Sequence, residues 1–232
     1  MKKLLLSAFV ICLAGTSIAQ ESPLWMRHCA LSPDGTTIAF TYKGDIYTVP
    51  STGGRATQIT TNPAFDTEPV WSPDSKQIAF ASDRMGSLDV FVVSSEGGTP
   101  QRLTTHSGSE KPVAYKDNKH ILFTANIAPS AEDAGFPSGQ FQQVYEVAVT
   151  GGRPAMFSSM PMECISINKE GVMLYQDKKG YEDYWRKHQV SPIARDIWTY
   201  TPGKKPVYQK QTTFGGEDRE PVWSCLLYTS DA

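Results

Sequence analysis

Side chains able to do chemistry are present in this chain, but none stands in a pattern that catalysis requires. Nucleophilic catalysis needs a serine or cysteine set against a base and an orienting acid. The nearest string to a nucleophile elbow, Gly135-Phe136-Pro137-Ser138-Gly139, has the wrong spacing for Gly-x-Ser-x-Gly and falls in an insertion. His28, His106, His120 and His188 have no second ligand at helical or hairpin metal spacing, so neither a metal nor a cofactor is expected. No glycine-rich phosphate loop occurs. The acidic string Glu217-Asp218-Arg219-Glu220 has a counterpart in Asp66-Thr67-Glu68, which assigns both to a repeated connector able to cap turns or pair with arginine. One stretch suits binding: Tyr181, Tyr184, Trp185, Arg186, Lys187 and His188 set aromatic rings beside charges of both signs. Such a loop can stack on a peptide and pair with a carboxylate, or serve only to glue itself to its own sheet or to a neighbouring domain.

The elements that must position this loop repeat along the chain. Leu31-Ser32-Pro33-Asp34-Gly35 leading to Ile38-Ala39-Phe40 recurs as Trp71-Ser72-Pro73-Asp74-Ser75 leading to Ile78-Ala79-Phe80. Weaker copies are Tyr115-Lys116-Asp117-Asn118 before Phe123 and Asn168-Lys169-Glu170-Gly171 before Tyr175. The anchoring aromatics Phe40, Phe80, Phe123 and Tyr175 are 40, 43 and 52 residues apart, a period that suits one propeller blade. A second aromatic follows in each unit (Tyr47, Phe91, Tyr145, Trp198), and six residues beyond the first three come Gly53-Gly54, Gly97-Gly98 and Gly151-Gly152. These pairs supply the positive φ of a tight hairpin turn. Seven residues after the first glycine of each pair stand Thr60, Thr104 and Ser158, with Thr212 nine residues after Gly203 in the fourth unit.

The expectation is therefore all-β: a propeller of four-stranded blades of about 40 to 50 residues, four repeats plus the start of a fifth, in an incomplete ring. The blades cover about 24–61, 62–105, 106–159 and 160–213, and the fifth begins at 214. A β-sandwich would not repeat the same glycine and hydroxyl offsets. The interval between the two aromatics of a unit grows from 7 to 11, 22 and 23 residues, all in one loop. Residues 126–143 and 177–196 should then rise side by side on one face as a wall or lid.

Residues 1–19 read as a signal peptide, with Lys2 and Lys3 before the apolar run Leu4 to Leu13 and Ser17-Ile18-Ala19 as the cleavage site. Export to the periplasm follows, and the apolar run is too short to span a membrane. In that oxidising compartment Cys29, Cys164 and Cys225 make an odd number at no framework spacing, so they are expected to be packed structural thiols, His28 and Cys29 among them as a packed pair. With 22 Lys plus Arg against 24 Asp plus Glu, nothing calls for a nucleic acid or an anionic membrane.

Trp71-Ser72-Pro73-Asp74-Ser75 through Ile78-Ala79-Phe80-Ala81-Ser82-Asp83-Arg84, followed by Gly97-Gly98, resembles the Pro-Asp repeat. That repeat is shared by TolB proteins, tricorn-type serine peptidases of family S41, and the propellers of prolyl-oligopeptidase-type hydrolases. The short lead into the first blade and the stretch from Gly180 to Trp198 are most similar to the tricorn type. The resemblance implies a non-catalytic, amino-terminal propeller that gates or binds substrate for an exported serine peptidase. Its catalytic residues would lie downstream, and none is carried onto this chain. Implied partners are peptides or unfolded protein segments, downstream domains of the same parent chain, and further copies of the parent. The alternatives are a TolB-like protein-binding propeller in the envelope and the propeller of a prolyl-oligopeptidase-type hydrolase. The repeat breaks after Glu220-Pro221-Val222-Trp223-Ser224, where residues 225–232 look like an aberrant tail of a truncated or foreign reading frame.

Overall fold

The anchoring aromatics face their partners across antiparallel strands. Phe40 pairs with Tyr47, Phe80 with Phe91, Phe123 with Tyr145, and Tyr175 with Trp198. In the first three pairs the rings stack with centroids 5.9, 5.9 and 5.7 Å apart, a cross-strand contact that adds to simple burial. The computed structural model describes residues 25–127, 141–180 and 191–223, and these form sixteen strands and no helix. The expectation of an all-β propeller holds.

Each unit is one four-stranded antiparallel sheet in chain order. Blade one holds β1 (Arg27–Leu31), β2 (Thr37–Tyr42), β3 (Asp45–Pro50) and β4 (Thr57–Gln58). Blade two holds β5 (Asp66–Trp71), β6 (Gln77–Ser82), β7 (Asp89–Ser94) and β8 (Gln101–Arg102). Blade three holds β9 (Lys111–Asp117), β10 (His120–Ala125), β11 (Gln143–Ala148) and β12 (Ala155–Ser158). Blade four holds β13 (Met162–Ile167), β14 (Met173–Asp177), β15 (Ile197–Thr201) and β16 (Val207–Lys210).

Three devices recur among the blades. The Pro-Asp turn is closed by backbone bonds from Gly35 to Ser32 and from Ser75 to Ser72. Asp34 caps it by accepting from the Ser32 hydroxyl at 2.6 Å and from the Thr36 N–H at 2.9 Å, and these bonds hold its carboxyl at about 2. Asp74 repeats the arrangement with Ser72 and Lys76. The second device is the glycine turn, where Gly53, Gly97 and Gly151 have φ of 87°, 89° and 80°, conformations that a Cβ disfavours. The third is a threonine latch. The N–H groups of Ile46, Val90 and Ile197 donate to the hydroxyls of Thr60, Thr104 and Thr212 at 3.0, 2.9 and 3.1 Å, so the chain leaving the fourth strand is tied to the third.

No blade buries its own two faces; the core lies between blades, as stacking around an axis requires. Ile46 and Phe80 belong to the cluster of blades one and two, Val90 and Phe123 to that of blades two and three, and Leu122 and Tyr175 to that of blades three and four. The innermost strands pack in sequence, β1 on β5, β5 on β9 and β9 on β13. The sheets share no ladder bonds, so hydrogen bonds do not close the ring. The Pro-Asp turns link neighbouring blades instead, with the Asp34 N–H donating to Ser75 and the Asp74 N–H to Asn118.

Candidate functional site

The innermost strands surround two contiguous cavities. One of about 530 Å³ sits at the Pro-Asp turns, with Asp34, Asp74, Lys116 and Asn168 in its wall. The other, of about 800 Å³, lies along the bulged stretches of the same strands, reaches the first Pro-Asp turn at Ser32, Pro33 and Gly35, and also takes in Glu220 to Trp223. Ala30, Val70 and Ile165 line both, so together they form one passage along the strands.

A bulge in each innermost strand shapes this passage. Register shifts fall between Arg27 and Ala30, between Thr67 and Val70, and between Glu163 and Ser166, each opposite the anchoring aromatic of the next strand. His28 and Cys29 thus oppose Phe40, Glu68 and Pro69 oppose Phe80, and Cys164 and Ile165 oppose Tyr175. The first residue of each bulge is left-handed, with φ of 50° at His28, 54° at Glu68 and 51° at Cys164. Glu220 repeats this at 54°. The blade-three counterpart, Pro112, cannot adopt positive φ, yet the register still shifts beside Phe123. Left-handed backbone at a non-glycine residue costs about 1 kcal/mol or more, and bulges of this kind commonly re-aim side chains.

The expected packed thiols are therefore a correction. Cys29 and Cys164 are free and exposed, and His28 beside Cys29 is exposed too, because the bulges turn this stretch toward the cavity rather than into a core. Although Cys164 opens on the cavity, the surrounding wall pushes its thiol up, first by burial and then through the carboxylates of Glu163, Glu220 and Glu68, against Arg195. Around the rim, Glu68 pairs with Lys111 at 2.7 Å, and Glu163 with Lys178 at 2.9 Å and Arg195 at 3.1 Å. Burial opposes ionisation of Glu163, but Lys178, Gln176 and Arg195 hold its carboxyl below the usual range. At two of the connector acids the expected pairing with arginine is present. Asp66 takes both its contacts from Arg84 at 2.9 Å, and Glu217 pairs with Arg195 and Arg219. The fifth unit leans on the fourth through the Glu220 N–H to Gln176 and the Trp223 N–H to Ser166.

A buried carboxyl pair lies off the passage, between blades two and three. Asp89 and Glu110 have no exposed surface; Arg102 reaches Asp89 at 2.9 Å, and neither Glu110 oxygen has a well-formed hydrogen bond. Burial pushes Glu110 up to about 7; the Thr104 hydroxyl opposes the shift and the Asp89 charge adds to it.

Tyr181, Tyr184, Trp185, Arg186, Lys187 and His188 lie outside the described residues, as do the signal segment, the tail from Cys225 and most of the first insertion. The base of the fourth-blade loop is described. There Lys179 contacts Asp196, Trp198 donates to Asp177 at 3.0 Å, and Gly180 packs on Ile193. Among the described residues no three His, Cys, Asp or Glu side chains group as a metal site. The bulge residues escaped the sequence reading, although the copied string Glu68-Pro69-Val70-Trp71 and Glu220-Pro221-Val222-Trp223 marked two of them.

Known proteins carry the same architecture. Tricorn protease homolog 1 of Streptomyces coelicolor is 39% identical over 77 residues, covering 33% of this chain and 7% of that protein. Uncharacterized peptidase YuxL of Bacillus subtilis is 32% identical over 108 residues, covering 41% of this chain and 16% of that one. The chain thus spans a small part of both relatives. The crystal structure of the tricorn protease matches with a TM-score of 0.65 at 16% identity, over 84% of this chain and 19% of that chain. TolB from Acinetobacter baumannii matches with a TM-score of 0.61 at 22% identity, over 85% and 45%. Such identities speak to the fold alone. The profile of the tricorn protease N-terminal β-propeller domain matches residues 23–232, and the chain belongs to that family.

Proposed function

We propose that this chain is a non-catalytic propeller that binds and gates peptides or unfolded protein segments for an exported tricorn-like serine peptidase, whose chemistry is done by downstream domains. The observation that carries the reading is the passage itself. Inner strands from four blades and the start of the fifth unit line it, and its walls mix apolar residues such as Val70 and Ile165 with positioned polar ones such as Glu68. Concave, largely apolar sites with a few fixed polar groups are where extended ligands bind. Lys2-Lys3 ahead of the apolar run to Leu13 supports export to the periplasm.

The two cavity thiols provide the test. An unfolded peptide held in the passage should slow maleimide labelling of Cys164 in a Cys29→Ser, Cys225→Ser variant, while a thiol placed on exposed β16 at Lys210 in a variant that also lacks Cys164 keeps its rate. Equal rates at both sites, with and without peptide, would sink the reading. Protection by a folded protein and not by peptides would favour a TolB-like docking role.

A further inference from the structure

We propose that the bulge residue of each innermost strand is the position at which the passage selects its cargo, and that Glu68 and Glu220 make it favour extended peptide segments carrying basic side chains. The inference rests on the passage being a peptide channel and names the class of peptide it takes.

Geometry is the first support. In each blade two residues of the innermost strand oppose one anchoring aromatic, and the first of the two lines the 800 Å³ cavity. A regular strand would alternate that side chain with its neighbours; a bulge re-aims it. The second support is what the repeats keep and what they vary. The left-handed backbone recurs at His28, Glu68, Cys164 and Glu220 although none is glycine, the one residue that would adopt it freely. The adjoining wall stays small or apolar, as at Ala30, Val70 and Ala114. A strained geometry retained with changing chemistry fits a position where the side chain itself matters to a ligand.

Charge gives the class. Among the described residues the lining of the larger cavity includes Glu68 and Glu220 and no lysine or arginine, whereas the smaller cavity sets Lys116 and Lys169 against Asp34 and Asp74. Glu68 is partly neutralised by Lys111 from behind the wall, whereas Glu220 makes no ion pair among the described residues. The Cys164 thiol between them, raised first by burial, is raised further by the carboxylates of Glu163, Glu220 and Glu68 against Arg195. Exposed charge pairs are each worth up to about 1 kcal/mol, so two carboxylates on the cavity wall amount to roughly a tenfold preference.

Fluorescence anisotropy of the chain with two labelled peptides of the same length and apolar content, one bearing lysines and the other glutamates, tests this. The lysine peptide should bind roughly tenfold tighter, Glu220→Gln should narrow the gap, and Glu220→Lys should abolish it. Glu220 is exposed, so an unchanged circular dichroism melt certifies that these variants fold. Equal binding of the two peptides, or a preference that survives Glu220→Lys, overturns the selection inference. Binding of neither peptide overturns the channel reading beneath it.

Discussion

Replacing Glu110 with glutamine should flatten the pH dependence of stability that this residue gives the propeller. Glu110 has no exposed surface and sits beside Asp89, with Arg102 reaching only Asp89. Its carboxyl rises from 4.5 to about 7, first through burial and then through the neighbouring charge, while the Thr104 hydroxyl pulls the other way. A carboxyl raised on folding binds its proton more tightly in the native state than in the unfolded chain. The associated stability is fully present below about pH 4.5 and lost as pH rises through about 7. At 1.36 kcal/mol per unit the whole span amounts to about 3 kcal/mol, most of it between about pH 5 and pH 8. Glutamine keeps the shape and cannot ionise. Urea denaturation followed by tryptophan fluorescence across that range should show wild type losing about 2 to 3 kcal/mol more than Glu110→Gln. Parallel profiles for the two proteins would refute the buried-proton argument.

Three further outcomes follow from the repeated devices. Gly97→Ala forces a Cβ onto a φ of 89° and should cost about 1 to 2 kcal/mol in chemical denaturation, with Gly54→Ala, at a φ of 127°, at least as costly. Thr104→Val keeps the shape of a residue that is 1% exposed but strands the buried Val90 N–H, a loss of about 1 to 3 kcal/mol that Thr104→Ser should largely restore. Phe123→Ala empties a fully buried ring position between blades two and three and should cost about 3 to 5 kcal/mol, enough to broaden or abolish the thermal transition.

Much of the fold was legible because the first three blades repeat their punctuation at fixed offsets and the fourth keeps its order. The aromatic anchors announced cross-strand stacks, the glycine pairs announced turns, and the threonines seven residues on proved to be the latches of the third strand. The passage was less legible. A bulge sets two residues against one, and simple alternation of apolar and polar positions does not reveal it. For the same reason Cys29 and Cys164, which match no disulfide spacing, were expected to be packed thiols, whereas the shifted register opens them to the cavity. The Asp89–Glu110 pair was hidden because its members lie on successive blades and meet only when the sheets stack. Its homologous junction carries Asp45 and Asp66, where Arg84 makes two contacts to Asp66 and the Thr60 hydroxyl serves Asp45.

The most direct measurement of the central claim is photo-cross-linking from the passage wall. A benzophenone attached to Cys164 on β13 in a Cys29→Ser, Cys225→Ser background should capture an unfolded lysine-bearing peptide, as should one attached to a single cysteine placed at Val70 on β5 or Val113 on β9. Capture no greater than from a benzophenone on the outer edge at β16 would contradict the claim that the inner strands form the binding passage.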